Sequence, residues 1–489
     1  MLFNSFDFGF FLVIVYLAYW ALGTQRRKAQ NVLLLIASYT FYGLWDWRFL
    51  GLLALSSLID FIAGRAIAGT QKRSTQKLWL WGSIIWNLGV LFTFKYFNFF
   101  IDSFEGLFGM EVGSGYTFWN VAIPLGLSFY TFQTMSYTID VFQNHRPGVE
   151  SKFKPTKNIL EFLCFVSFFP QLVAGPIEKA RHLLPQFEKK RQFNLQTSKE
   201  GLRQILWGLF KKIIVAEKLG IAVSMVFNNP EGFNSITLVF ALVLFCFQVY
   251  CDFSGYTDIA LGTAKLFGFK LSKNFNLPYL SKSISELWQR WHITLTRWFT
   301  DYVYIPVVRS RKRISPTKRT FGILVTFTLV GLWHGANWTF IFFGILSAVV
   351  LVLERIPIFK TRGRKDGNTK TLKQKLQTAP RILSMGYVFV IFTLLALLFR
   401  AQDMTQVFVF LKRIFSFTME GAFTTLIGYK LFYLAFILIA EIVTRSSDFP
   451  LQSLELKIPR LFRWVVYYTL IVFIIRYAEP KEAFIYFQF

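Results

Sequence analysis

The chain has 489 residues, of which 54% are hydrophobic and 59 are phenylalanine. Repeated apolar runs, each long enough to span a hydrocarbon core of roughly 30 Å, exclude a string of soluble domains. The formal charge of +27 is scattered over short loops between those runs, which excludes a folded basic domain built to read nucleic acid.

In chain order, Phe6–Leu22 reads as a first spanning helix, followed by helices near 31–47 and 48–66, then Leu78–Phe100 and one near 117–141. Ser235–Thr263 and Ile382–Phe399 are equally clear, while Leu426–Ile442, interrupted by Lys430, and Trp464–Ile475 are weaker. The basic cluster QRRK (25–28) follows the first apolar run instead of preceding it. That run is therefore expected to remain as a helix with its N-terminus outside, and not to act as a secretory signal. Lys and Arg concentrate in QKRSTQK (71–77), EKKR (188–191), RSRKRISPTKR (309–319) and KTRGRKDGNTKTLKQK (360–375). Juxtamembrane basic loops mark the cytoplasmic face, where anionic lipid attracts them. Alternation from the first helix puts 24–30, 70–77, 309–319 and 355–381 inside, the last expected to be mobile. It puts 102–115, with Asp102, Glu105, Glu111 and no Lys or Arg, outside. Both chain ends then fall outside after about eleven or twelve crossings.

Three stretches do not fit simple spanning. Residues 159–176 are apolar but flanked by basic loops, and 284–306 (ISELWQRWHITLTRWFTDYVYIP) are too polar to face lipid. Residues 320–354 are about twice one span, interrupted by Gly-Leu-Trp-His-Gly. Such elements are expected to dip into the bilayer and return, which requires shielding by protein or a water-filled cavity. The expected fold is an all-α polytopic membrane protein whose helices ring a central tunnel. With no internal repeat and no low-complexity tract, residues 1–489 read as one integral domain.

Polar residues inside a bilayer face an interior or a partner. In 284–306, Glu286 and Arg290 are four apart, as are Arg297 and Asp301, so each pair is placed to meet on a helix face. Trp288, Trp291 and Trp298 give the stretch an amphipathic surface, with His292 between the pairs. The bland alternative is an interfacial helix anchored by ion pairs. Upstream, YCDFSGYTDIALG sets Asp252 four before Tyr256 and Ser254 four before Asp258. The arginines of 284–306 are the expected partners of those carboxylates, either in a site or as a structural pin. A stripe of Ser128, Thr131, Thr134 and Thr138 reads as helix glue, with cavity lining as the alternative.

His334 lies between Gly331 and Gly335, a G-x-x-x-G that admits close approach of another backbone or a ligand. A buried neutral imidazole can accept a proton from a hydroxyl nucleophile. His292 and His334, on separate dipping elements, are expected to bracket one site. Neither lies in H-x-x-x-H or H-E-x-x-H spacing, so no metal site is expected. His145 and His182 lie in polar loops and read as solvated bystanders. Cys164, Cys246 and Cys251 lie in apolar segments and read as packing residues, not a disulfide framework.

The run from CDFSGYTDIALG through SELWQRWHITLTRWFTDYVYIP, followed by GLWHGANW (331–338), resembles the membrane-bound O-acyltransferases (MBOAT). The bacterial alginate O-acetyltransferase branch is the nearest likeness, and PQLVAGPIEKARHLLPQF (170–187) and the terminal FIYFQF (484–489) are similar to it too. The likeness covers most of the chain and is strongest from about 170 to 340. It implies transfer of an acyl group, acetyl above all, to a hydroxyl acceptor for extracytoplasmic polysaccharide O-acetylation. The family's characteristic histidine falls on His334. Its second polar position, an asparagine in many eukaryotic members, falls on His292, and a histidine there also resembles the D-alanyl lipoteichoic-acid transferases. Trp333 and Asn337 of GLWHGANW and the polar residues named above would support the tunnel. The resemblance further implies a cytoplasmic donor, acetyl-CoA or a small acyl-carrier protein, and no bound cofactor. It also implies a separate extracytoplasmic polysaccharide acetyltransferase as partner, membrane lipids around the chain, and residence in the bacterial inner membrane. The rival readings are a D-alanyl transferase of cell-wall polymers, a proton-coupled transporter using Asp252, Asp258 and the histidines as a relay, and an inert membrane scaffold.

Overall fold

A computed structural model describes residues 3–109, 123–145, 153–309, 315–356, 359–360, 369–419 and 428–477. The chain packs into two units, Met1–Ile205 with Tyr256–Ser272 and Leu206–Gly255 with Lys273–Phe489. Four helical stretches are long and apolar enough to cross a bilayer: Arg27–Gly69, Arg73–Phe108, Ser235–Leu266 and Arg381–Arg400. Phe6–Ala21 and Trp338–Leu353 are apolar but shorter. Large apolar side chains such as Phe10, Ile14 and Leu17 point outward, the arrangement lipid favours and water does not. The protein is an all-α polytopic membrane protein. Its only ladder among the described residues is the two-residue pair Phe359–Lys360 with Thr369–Lys370.

The first unit is held by a polar seam. Asp60 sits at the middle of Leu50–Gly69 and accepts hydrogen bonds from Ser83 Oγ and Asn87 Nδ2 of Arg73–Leu91. Helix Leu127–Asn144 joins the seam through Thr134 Oγ1 to Asn87 Oδ1 (3.1 Å), and Thr138 Oγ1 lies in hydrogen-bonding contact with Ser83 Oγ (3.0 Å). Two of the four residues of the expected stripe are thus bonded across helices as glue. The helix expected from 117 starts only at Leu127 within the described residues. Gly126 before it has φ +73°, and a Cβ there would strike the carbonyl of Leu172. Residues 159–176 form two short helices, Ile159–Ser167 and Phe169–Leu172. The break is shielded by buried amides: Gln133 Nε2 and Gln171 Nε2 both donate to the carbonyl of Phe165 (2.6 and 3.1 Å).

In the second unit, 320–354 is a helical hairpin, Pro316–His334 and Trp338–Leu353. The stretch 284–306 breaks into Ile284–Arg290, Ile293–Phe299, a π-helical turn Thr300–Tyr304 and Ile305–Val308. Helices Gly428–Val443 and Arg460–Tyr477 stand where weaker spans were expected. The basic loop expected to be mobile contains helix Leu372–Thr378, which opens with a capping box between Thr371 and Gln374. Glu111, Arg311, Lys312, Arg313 and FIYFQF lie outside the described residues. The three cysteines are free and buried.

Candidate active site

The hairpin brings its two helices close because glycines line the contact. A Cβ on Gly331 would strike the carbonyl oxygen of Phe340, and one on Gly344 the carbonyl of Phe327. The first helix ends at His334 because Gly335 turns to extended backbone. Asn337 then caps the second helix, its Oδ1 accepting from Thr339 N (3.0 Å) while its Nδ2 donates to the carbonyl of Gln402 (2.8 Å). Asn337 thus shapes the hairpin turn through both ends of its amide.

The broken segment meets this hairpin. Ser283 Oγ caps Ile284–Arg290 by accepting from Glu286 N (3.1 Å). The fully buried Glu354, just beyond the hairpin's second helix, accepts from the backbone nitrogens of Ile284 (2.7 Å) and Ser285 (3.1 Å). Glu286 and Arg290 pair as the spacing predicted, at 2.8 Å. Trp291 is then extended and His292 takes φ +42°, a left-handed conformation that L side chains rarely adopt. Arg297 lies in the last turn of the next helix, and Asp301 falls in the π-helical turn, where the spacing assumed for an i,i+4 pair no longer holds.

The break at Trp291–His292 places the imidazole inside the protein. His292 is 1% and His334 5% exposed. Trp333 lies against both rings, with centroids 5.7 Å from His292 and 5.0 Å from His334. Phe253 meets His292 edge-on at 4.7 Å, and Phe399 meets His334 at 5.0 Å. Both histidines border one cavity of about 30 Å³, along with Trp288, Trp291, Thr296, Thr300 and Thr326. A second cavity of about 20 Å³ shares His334, Trp288 and Trp291 and is otherwise apolar, walled by Phe245, Val249, Phe343, Phe392, Ala396 and Phe399. Both are far smaller than the several hundred Å³ of a ligand site, with room for about one or two waters.

The expected partners of the upstream carboxylates are different. Asp252 pairs with Lys212 and Ser254 Oγ with Lys211 Nζ (2.8 Å), not with the arginines of 284–306. Both lysines lie in the π-helical stretch Phe210–Ala216 and are buried. Gly255 permits the contact, since a Cβ there would be 2.8 Å from the carbonyl oxygen of Gly208. Tyr256 and Asp258 belong to the other unit. Tyr256 stacks on Phe3 at 4.6 Å, and Asp258 Oδ1 accepts from Gln204 Nε2 at 2.8 Å. The reason is periodicity: along one helix, Tyr250 and Phe253 face Trp291 and His292, whereas Asp252 and Ser254 point elsewhere.

Sequence reasoning missed Lys211, Lys212, Asn274, Glu354 and the cavity threonines. The adjacent lysines in LFKKIIVAEKLG were a legible signal, being charges set in an apolar run. His145 and His182 belong to the first unit. His145 Nδ1 is 3.2 Å from the carbonyl of Val141, and His182 Nδ1 is 2.7 Å from a carboxylate oxygen of Glu178.

A polytopic helical protein with two buried imidazoles on one small, threonine-lined cavity has the parts of an integral-membrane enzyme acting on a hydroxyl. Residues 67–363 match the MBOAT, membrane-bound O-acyltransferase family. The probable alginate O-acetylase AlgI of Azotobacter vinelandii is 35% identical over 422 residues, 85% of this chain and 78% of its own length. The peptidoglycan O-acetyltransferase of Helicobacter pylori is 31% identical over 435 residues, 84% of this chain and 79% of its own. The teichoic acid D-alanyltransferase of Bacillus subtilis is 29% identical over 247 residues, 47% of this chain and 59% of its own. The chain belongs to the MBOAT family and is a membrane O-acyltransferase. Membership decides against the transporter and the inert scaffold.

Proposed function

We propose that this enzyme moves an acetyl group from a cytoplasmic donor to a hydroxyl acceptor, for O-acetylation of an extracytoplasmic polysaccharide. The observation that carries the reading is the buried cavity on which His334 and His292 meet. A thioester such as acetyl-CoA supplies the acyl group. His334 takes the proton of the acceptor hydroxyl as its oxygen attacks the thioester carbonyl. The carbon–sulfur bond then breaks, the thiolate leaves, and the imidazolium returns a proton to it. A donor on the developing oxyanion adds several kcal/mol, and Trp333, whose ring lies against both imidazoles, is the proposed donor. The dipping elements form a tunnel through a locally thin core, so that a donor from one face meets an acceptor from the other. In this reading the protein sits in the bacterial inner membrane with both termini outside. Acetyl-CoA or a small acyl-carrier protein docks at the basic inside loops, and a separate extracytoplasmic transferase receives the acyl group.

The relatives whose names specify O-acetyl transfer cover 73–85% of the chain, against 47–52% for the D-alanyltransferases. Purified protein given radiolabelled acetyl-CoA and a hydroxyl-bearing oligosaccharide should form labelled ester. Labelled ester from a D-alanyl carrier protein, and none from acetyl-CoA, would replace this reading with the D-alanyl one.

A further inference from the structure

Asn274 faces the Nδ1 side of the His292 ring. Its amide oxygen lies 3.2 Å from the backbone nitrogen of Thr294, 2.9 Å from Thr294 Oγ1 and 3.1 Å from His292 Nδ1. A backbone N–H can only donate, so the amide atom facing it is the oxygen, which settles the usual ambiguity between asparagine oxygen and nitrogen. That oxygen can only accept. His292 Nδ1 is therefore the protonated nitrogen of the neutral ring, and Nε2 holds the lone pair.

The surrounding backbone holds the two residues in register. Ile293 N donates to the carbonyl of Asn274 (2.9 Å), and Asn276 N to the carbonyl of Arg290 (2.9 Å). These bonds stitch the strand-like stretch before Pro278 to the break at His292. They also oppose the strain of its positive φ. Asn274 is itself 1% exposed, so water does not compete for its oxygen.

We propose that Asn274 is a positioning residue that holds neutral His292 as the Nδ1–H tautomer. The cavity shared with His334 then has a hydrogen-bond acceptor at His292 Nε2, not a donor. On the acyl-transfer reading, which this deepens, His292 receives the acceptor hydroxyl's hydrogen bond and orients it toward His334. Stabilisation of the oxyanion falls to another group.

The chain has four histidines, so nitrogen NMR of ¹⁵N-histidine-labelled, detergent-extracted protein resolves each ring. His292→Gln identifies the His292 signals by their loss. The wild type should show a protonated Nδ1 and an unprotonated Nε2 for His292. Asn274→Asp, which keeps the acceptor, should preserve that pattern. Asn274→Leu should release the ring toward the Nε2–H form, and its kcat should fall at least about tenfold with little change in the donor KM, as expected when an imidazole loses the group that fixes its tautomer. An Nε2–H ring in the wild type overturns the proposal whatever the activity. Unchanged kcat in a folded Asn274→Leu protein also overturns it. The tautomer is read without turnover. Failure of the acyl-transfer reading would thus appear separately, as a correctly protonated ring in protein that transfers nothing.

Discussion

The carboxylate of Glu354 accepts the backbone N–H of Ile284 at 2.7 Å, tying the hairpin that carries His334 at its turn to the segment that leads to His292. The bond satisfies an otherwise orphan donor at a helix N-terminus and sets a negative charge where the helix dipole favours one. Glu354→Ala should lower stability by on the order of 1–3 kcal/mol, because two buried N–H groups lose their partner. Glu354→Gln, which keeps one acceptor, should lose less. Thermal unfolding in detergent reads the difference, and equal melting of Glu354→Ala and wild type would mean the strut carries no load.

Lys212 and Asp252 form a buried ion pair on the π-helical stretch and the long helix. Removing one partner of such a pair is expected to destabilise by about 3–5 kcal/mol, whereas replacing both by apolar residues is far milder. Lys212→Met and Asp252→Leu should each reduce the folded yield, and the double variant should recover much of it. Turnover per folded molecule should hold in the double variant. A double variant that folds but has lost turnover would place the pair in the chemistry instead.

Gly331→Ala should disrupt the hairpin, since its methyl would strike the carbonyl of Phe340 with backbone of Gly344 at 3.0 Å beside it. Gly82→Ala, where nothing lies within 4 Å, should be neutral or slightly stabilising. Monodispersity after extraction reports both. Normal behaviour of Gly331→Ala would show that the two helices do not need to approach so closely.

Sequence showed the elements more readily than the partnerships between them. The apolar runs at Ser235–Leu266 and Arg381–Arg400 are long enough to announce themselves, and GLWHGANW marked the hairpin turn through its glycines. The Glu286–Arg290 pair followed from i,i+4 spacing because that part of the segment is a regular helix. The Arg297–Asp301 spacing gave no such guide, since a π-helical turn intervenes. Asp252 was assigned to the wrong cations because a 3.6-residue period says which face a residue takes, not which helix will lie against that face. Asn274 and Glu354 were invisible for a related reason: each acts on backbone N–H groups or a ring far along the chain, and no local spacing encodes that.

His182, in an amphipathic helix outside the candidate spans, hydrogen-bonds the buried carboxylate of Glu178. That hydrogen bond raises its pKa above the ordinary 6.5, outweighing partial burial. A raised folded pKa means the protonated ring stabilises the fold. The contribution is fully present below 6.5 and lost as pH rises through the higher folded value. Melting temperature should therefore step down modestly across that window, and His182→Gln should remove the step. The same step in His182→Gln would assign it to another group.

Acyl transfer by this protein depends on His334 as the proton acceptor, and one measurement tests that most directly: turnover per mole of monodisperse, detergent-extracted His334→Ala. That variant should extract and melt like the wild type but transfer acetyl about 10²–10⁴-fold more slowly, the loss expected for a missing general base. His292→Ala in the same assay should also be impaired, with His292→Asn keeping part of the rate. Near-normal turnover in folded His334→Ala would mean that GLWHGANW is only a tight helix junction, and the assignment of base chemistry to it would be wrong.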